Sequence, residues 1–183
     1  MRRMDELNSE WVVLVEVIRE LGQQPYVNPV GRTICRRIAH VLSTPELKSA
    51  LHELANKNWL REEQLGKMTA VRVGEQYERD RPKFADVIER NAKRIDKTVD
   101  LFSRIKNTDQ AEEVMTVLFA SRELKKAKPR QQITEKELYD YILDWKKRWR
   151  TEEKQREVAG AIRNLVMLGW MRLQFSKSLP EAA

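Results

Sequence analysis

Closely spaced basic side chains with an indole among them, Lys146-Lys147-Arg148-Trp149-Arg150, are the stretch of this chain best suited to a definite chemistry. Ammonium and guanidinium groups at that spacing neutralise phosphates, the interaction that supplies most non-specific affinity for nucleic acid. A second cluster, Lys125, Lys126, Lys128 and Arg130, precedes it, and Lys154, Arg156 and Arg163 follow. Trp149 has two readings in this setting. It is either a partly exposed anchor for a partner or a nucleotide, or a core residue continuing the Tyr141–Trp145 side of its helix, which is the expected one. Trp11, Trp59, Trp145 and Trp170 fall on apolar stripes or at helix ends and are expected inside.

Other chemistries lack their residues. The chain contains no phosphate-cradling glycine loop, no Gly-x-Ser-x-Gly elbow and no His-Glu-x-x-His. Its carboxylates alternate with bases on helix faces, the pattern of solvated surfaces rather than of a paired acid and base. An enzyme is therefore not expected, nor a cofactor. Cys35 is the single cysteine, which excludes an internal disulfide framework. With His40 and His52 as the only histidines, a Cys-His metal site would need a carboxylate as well, and none is expected. His52 reads as an exposed helix residue.

The elements that must position the basic residues follow from periodicity. Residues 9–21 carry Trp11, Leu14, Val15 and Ile18 at helical spacing, with Val12, Val13 and Val17 widening the apolar face. A second helix is expected at about 30–42, and a third starts at Ser43-Thr44-Pro45-Glu46, a capping hydroxyl with Pro in the first turn. After Trp59 two short extended segments flank Leu65-Gly66-Lys67, the pattern of a hairpin. One long helix is expected over 84–106, with Phe84, Val87, Ile88, Ile95, Val99 and Phe102 on one side. Beyond it, residues 111–124 are expected to bury Val114, Met115 and Leu118, with Phe119 a candidate for the same face. Thr134 and Glu137 form a capping box for a helix over 134–149 carrying Leu138, Tyr141, Ile142, Trp145 and Trp149. That length would hold the two basic clusters roughly 20 Å apart. Thr151 begins a last helix with Val158, Ala161, Ile162, Leu165 and Val166 inside, and residues 170–175 alternate as a strand does.

Two breaks match. Asn58-Trp59-Leu60-Arg61 superposes on Gly169-Trp170-Met171-Arg172, and the same register pairs Leu51 with Ile162 and Leu54 with Leu165. Gly169 suits the left-handed conformation that stops a helix, and Asn58 stands in its place. The expected fold is mainly α: two winged-helix-like three-helix domains with small β-hairpin wings, joined by a long helix. The boundaries are 1–80, 81–108 for the connecting helix, and 109–183 for a second domain with a truncated wing. Only eight residues follow Phe175.

The order of elements resembles the winged-helix superfamily, which is dominated by DNA-binding regulators with a minority of protein-interaction modules. VGRTICRRIAHVL at 30–42 and the Trp145…Gly169-Trp170 ending also look like SocA-like (Panacea) antitoxin-type domains, although the Gly-Pro-Tyr segment of those domains is absent. The first resemblance implies a transcription regulator that meets duplex DNA, with the start of the helix at Thr151 entering the major groove and Lys146, Lys147, Arg148 and Arg150 beside it. A homodimer would then reach two half-sites. The second resemblance implies a domain that grips a partner protein, and the winged-helix resemblance allows the same adaptor role, in which its surfaces grip a protein as antitoxins and chromosome-organising accessory proteins do.

Charge bears on both. The net charge is +7, yet residues 1–80 hold 12 groups of each sign, so the excess lies in the second half. Against DNA stand Glu152 and Glu153, in the first turn where a phosphate would approach. No apolar run reaches the roughly 18 residues that span a bilayer and no signal-peptide core is seen, so a cytoplasmic protein without membrane partners is expected.

Overall fold

The computed structural model describes residues 4–23, 52–65 and 68–180. The helix expected at 30–42, with Cys35 and His40, and the start of the third helix lie outside the described residues. Helix dominates, and among the described residues the one sheet is a two-stranded ribbon. The chain forms two compact units, 1–108 and 109–183.

In the first unit, α1 (Met4–Gln23) buries Val12, Val13, Val15, Val17, Ile18 and Leu21. So wide an apolar face needs partners on two sides, and it has them. Val13, Val17 and Leu21 meet Ile95 and Val99, with Ile88 and Phe102 closing over them. Val15 and Ile18 meet Leu54, Leu60 and Tyr77. Burying each such side chain contributes about 1.5–3 kcal/mol, enough to fix both neighbours.

Residues 52–56 end a helix that closes at Asn58, whose φ of 53° is left-handed. The ribbon follows as β1 (Leu60–Leu65) and β2 (Met68–Val73), antiparallel with Leu60 opposite Val73 and Leu65 opposite Met68. Gly66 and Lys67 between them lie outside the described residues. Its return is pinned to the helix end: Gly74 N–H donates to the Trp59 carbonyl at 2.8 Å. A β-carbon on Gly74 would fall 2.0 Å from the Asn58 carbonyl oxygen, so only glycine permits the approach.

Next come α2 (Glu75–Asp80), a 3-10 turn at Arg81–Phe84 and α3 (Ala85–Arg104). Through Ile95 and Val99, α3 packs on α1, so the helix expected to connect two domains is part of the first unit. Tyr77 and Phe84 set their rings edge-on to Trp59 at 5.5 and 5.2 Å, and the indole N–H donates to Asp80 at 3.1 Å. Buried Tyr77 donates its hydroxyl to Glu16 at 2.9 Å. Arg81 grips the same carboxylate through Nε and Nη2, the latter at 2.7 Å.

The second unit comprises α4 (Thr108–Ala127), α5 (Glu135–Trp145), a 3-10 turn at Lys147–Trp149, and α6 (Glu152–Met167). The capping box at α5 forms in both directions: Glu137 N–H donates to Thr134 Oγ1 at 3.0 Å, and Thr134 N–H to Glu137 Oε2 at 3.0 Å. Thr151 caps α6.

Helix closure at Gly169, with φ of 69°, repeats that at Asn58 bond for bond. Trp59 N–H donates to Leu54 O at 2.9 Å and Asn58 N–H to Ala55 O at 2.9 Å; Trp170 N–H donates to Leu165 O at 2.8 Å and Gly169 N–H to Val166 O at 2.9 Å. Both are Schellman closures.

Three expectations are corrected. The helix at 134–149 stops at Trp145, because Lys146 leaves helical dihedrals (φ −99°, ψ 65°). Residues 170–175 do not form a strand: Gln174 alone pairs, in parallel with Thr134, where the chain entering α5 meets it. The buried side of α4 is Ala111, Val114, Val117, Ala120 and Leu124, with Phe119 43% exposed rather than inside.

Candidate interaction surface

The basic residues of the second unit are spread over three settings. Lys146, at the end of α5, donates to Glu112 of α4 at 3.0 Å, and Arg148 reaches the same oxygen at 2.6 Å. Burial pushes the Glu112 carboxyl up, but the Lys146 and Arg148 charges outweigh it and hold it below the usual carboxylate range. Arg150 turns back to Asp144 at 2.8 Å and to the Leu143 carbonyl at 3.1 Å. Lys147 is exposed and makes no ion pair among the described residues.

Lys154 does not face outward from the start of α6. It is bound to buried Glu113 and lies 3.0 Å from Glu157. Burial raises the Glu113 carboxyl against the pull of Lys154. Arg156 pairs with Glu152 one turn back. Arg163 donates to the carbonyls of Pro180 at 3.1 Å and Leu179 at 3.4 Å, tying the following tail to α6. In the earlier cluster, Lys126 pairs with Glu123 at 2.6 Å and Lys128 with Glu137 at 2.7 Å, while Lys125 and Arg130 are exposed with no ion pair among the described residues.

Among the aromatic residues the Trp149 expectation holds and those for Trp145 and Tyr141 are reversed. Trp149 is core, 4% exposed, with the Lys146 and Lys154 ammonium groups 5.2 and 5.4 Å from its ring centroid. Trp145 is 51% exposed. The 3-10 turn after Lys146 carries Trp149 off the line of α5 and inward, leaving Trp145 on the outer face. Tyr141, one turn before it and also expected inside, is 39% exposed, and Tyr139 takes its place in the core. The Trp145 and Phe119 rings meet at 5.6 Å with a 43° tilt. Periodicity missed this surface because it reads an aromatic stripe as buried and cannot tell which of two adjacent faces is covered.

Of the residues singled out for phosphate contact, the structure therefore brings Lys146 and Arg148 together at Glu112, with the Lys146 ammonium 5.1 Å from the centroid of the exposed Trp145 ring, and leaves Lys147 exposed. It turns Lys154 and Arg163 to internal partners. Among the described residues no helix is long and apolar enough to cross a membrane. No protein-family model, curated protein or solved structure matches the chain.

Proposed function

We propose that the chain is a non-enzymatic, tandem winged-helix protein of the cytoplasm that works by gripping a protein partner, as an adaptor of the antitoxin or chromosome-organising accessory type. The architecture is supported by the ribbon after the first Schellman closure and by the same closure at Gly169, with the second wing reduced to the pairing at Gln174. The observation that carries the partner reading is the outward face of α6, the helix that would enter a DNA groove. Glu152, Glu153 and Glu157 are exposed there; Arg156 and Glu152 neutralise each other, Lys154 is taken up by Glu113 and Glu157, and Glu153 makes no ion pair among the described residues. A phosphate approaching that turn meets carboxylates, at a cost that grows as salt is lowered. Meanwhile the rings of Phe119, Tyr141 and Trp145 supply the aromatic anchors that protein interfaces favour.

A second reading is a DNA-binding transcription regulator, as a homodimer on two half-sites. It is favoured by the exposed cations Lys125, Arg130 and Lys147, which make no ion pair among the described residues, and by the net charge of +7. Titration with duplex DNA across a range of salt separates the two. The adaptor reading predicts only weak, sequence-independent binding that disappears near physiological salt. Tight binding at physiological salt, abolished by changing Lys146, Lys147 and Arg148 together to Glu, would establish the regulator instead.

A further inference from the structure

We propose that the Phe119–Tyr141–Trp145 face of the second unit seats an acidic amphipathic helix of a partner protein; this rests on the partner-binding reading and names the partner's chemistry. The three side chains are 43, 39 and 51% exposed, an unusual loss of burial for adjacent large rings. Phe119 of α4 touches Trp145 of α5, and Tyr141 lies one turn before Trp145 on the same helix face. Two helices thus share a single apolar strip.

Its rim decides the occupant. Arg122, one turn beyond Phe119, is exposed and makes no ion pair among the described residues. Lys146 and Arg148 share one carboxylate, Glu112. Asp144 is already held by Arg150 at 2.8 Å. Glu123, one turn beyond Phe119, is taken up by Lys126, and Glu137, one turn before Tyr141, by Lys128, so the unbalanced charge of the rim is positive. The complement is an apolar stripe flanked by Asp or Glu at helical spacing, the helix-in-groove mode of recognition with charge selecting the partner.

Other occupants fit less well. Base stacking needs an open ring face, but Trp145 has the Lys146 ammonium 5.1 Å from its centroid and Phe119 leaning on it. A second copy docking through the same face would set the Arg122, Lys146 and Arg148 cations against cations of the same patch.

The test is fluorescence anisotropy of the full chain with a labelled synthetic helical peptide carrying Leu and Trp along one stripe and Glu elsewhere. A companion peptide has Lys in place of every Glu. The acidic peptide should bind at low ionic strength, and the Lys peptide about tenfold or more weakly. Trp145→Ser and Arg122→Glu should each weaken the acidic peptide by about tenfold, with circular dichroism and melting of each variant confirming the fold. Lack of acidic-peptide binding, equal binding of both peptides, or binding unchanged in both variants would overturn the proposal. So would a dimer that Trp145→Ser abolishes, or displacement of the peptide by a single-stranded oligonucleotide or by anionic phosphatidylserine vesicles. If the peptide fails while the chain still carries a stoichiometric protein from its host, this proposal falls and the adaptor reading stands.

Discussion

A carboxylate buried as deeply as Glu16, 2% exposed, needs compensation for its lost hydration, and Tyr77, Arg81 and Arg19 supply it. Burial pushes the Glu16 carboxyl up, but the bonds from Arg81 and Tyr77 outweigh it and hold the group below its ordinary value. The same burial and the Glu16 bond push the Tyr77 hydroxyl far up, so it remains a donor at every relevant pH. Because the folded pKa of Glu16 is depressed, its contribution to stability is present above the unfolded value and is lost as pH falls through the folded one. Protection of the α1 amides, taken relative to their intrinsic exchange rate at each pH, should therefore fall in acid, and the stability gap between the native chain and Glu16→Gln should narrow below about pH 4. Arg81→Met should destabilise the first unit by about 2–3 kcal/mol; the 37% exposure of Arg81 lets water relieve part of the cost of a broken buried pair. In the second unit, Trp149→Ala should cost about 3–5 kcal/mol by opening a cavity, and Trp145→Ala less than about 1 kcal/mol. Urea unfolding of the two variants checks the assignment; equal losses would contradict it.

At the level of elements, the two helix closures are where sequence spoke most clearly. A Schellman end requires a residue tolerant of positive φ followed by an apolar residue, so Gly169-Trp170, with Asn58-Trp59 in the same register, announced the stop, and the partner carbonyls came with the fold. The capping box at Thr134 was legible for a similar reason, being a bond pattern fixed by residue type and spacing. What could not be read was tertiary. The role of Gly74 depends on how closely the ribbon returns to Asn58, and the break at Lys146 depends on the pull of Trp149 into the core and of Lys146 toward Glu112. Alternation at 170–175 promised a strand, but a strand needs an edge to pair with, and only Gln174 finds one. Gly169→Ala should lower stability by about 1–2 kcal/mol through its backbone angle alone. Gly74→Ala should cost about 2–3 kcal/mol in the first unit through its clash with the Asn58 carbonyl. Thermal melts of the two variants would disagree with this account if both were silent.

For the whole molecule, the mainly helical class and both closures were legible, whereas the working surface was only half so. Composition located the positive excess in the second half, but the partners of those charges, Glu112 and Glu113 above all, lie some 35 to 40 residues away along the chain and come together only in the fold. That folding converts much of the basic stretch into ion pairs within the second unit, while Phe119, Tyr141 and Trp145 stay exposed. Phosphate binding needs many free cations, while a protein anchor needs a few beside a patch of apolar surface. The direct measurement is the mass and ultraviolet absorbance of the chain purified from its native host at physiological salt. A complex with one protein in fixed ratio and no excess absorbance at the nucleic-acid maximum is predicted. Recovery of nucleic acid in its place, or of the chain with no partner at all, would contradict the account.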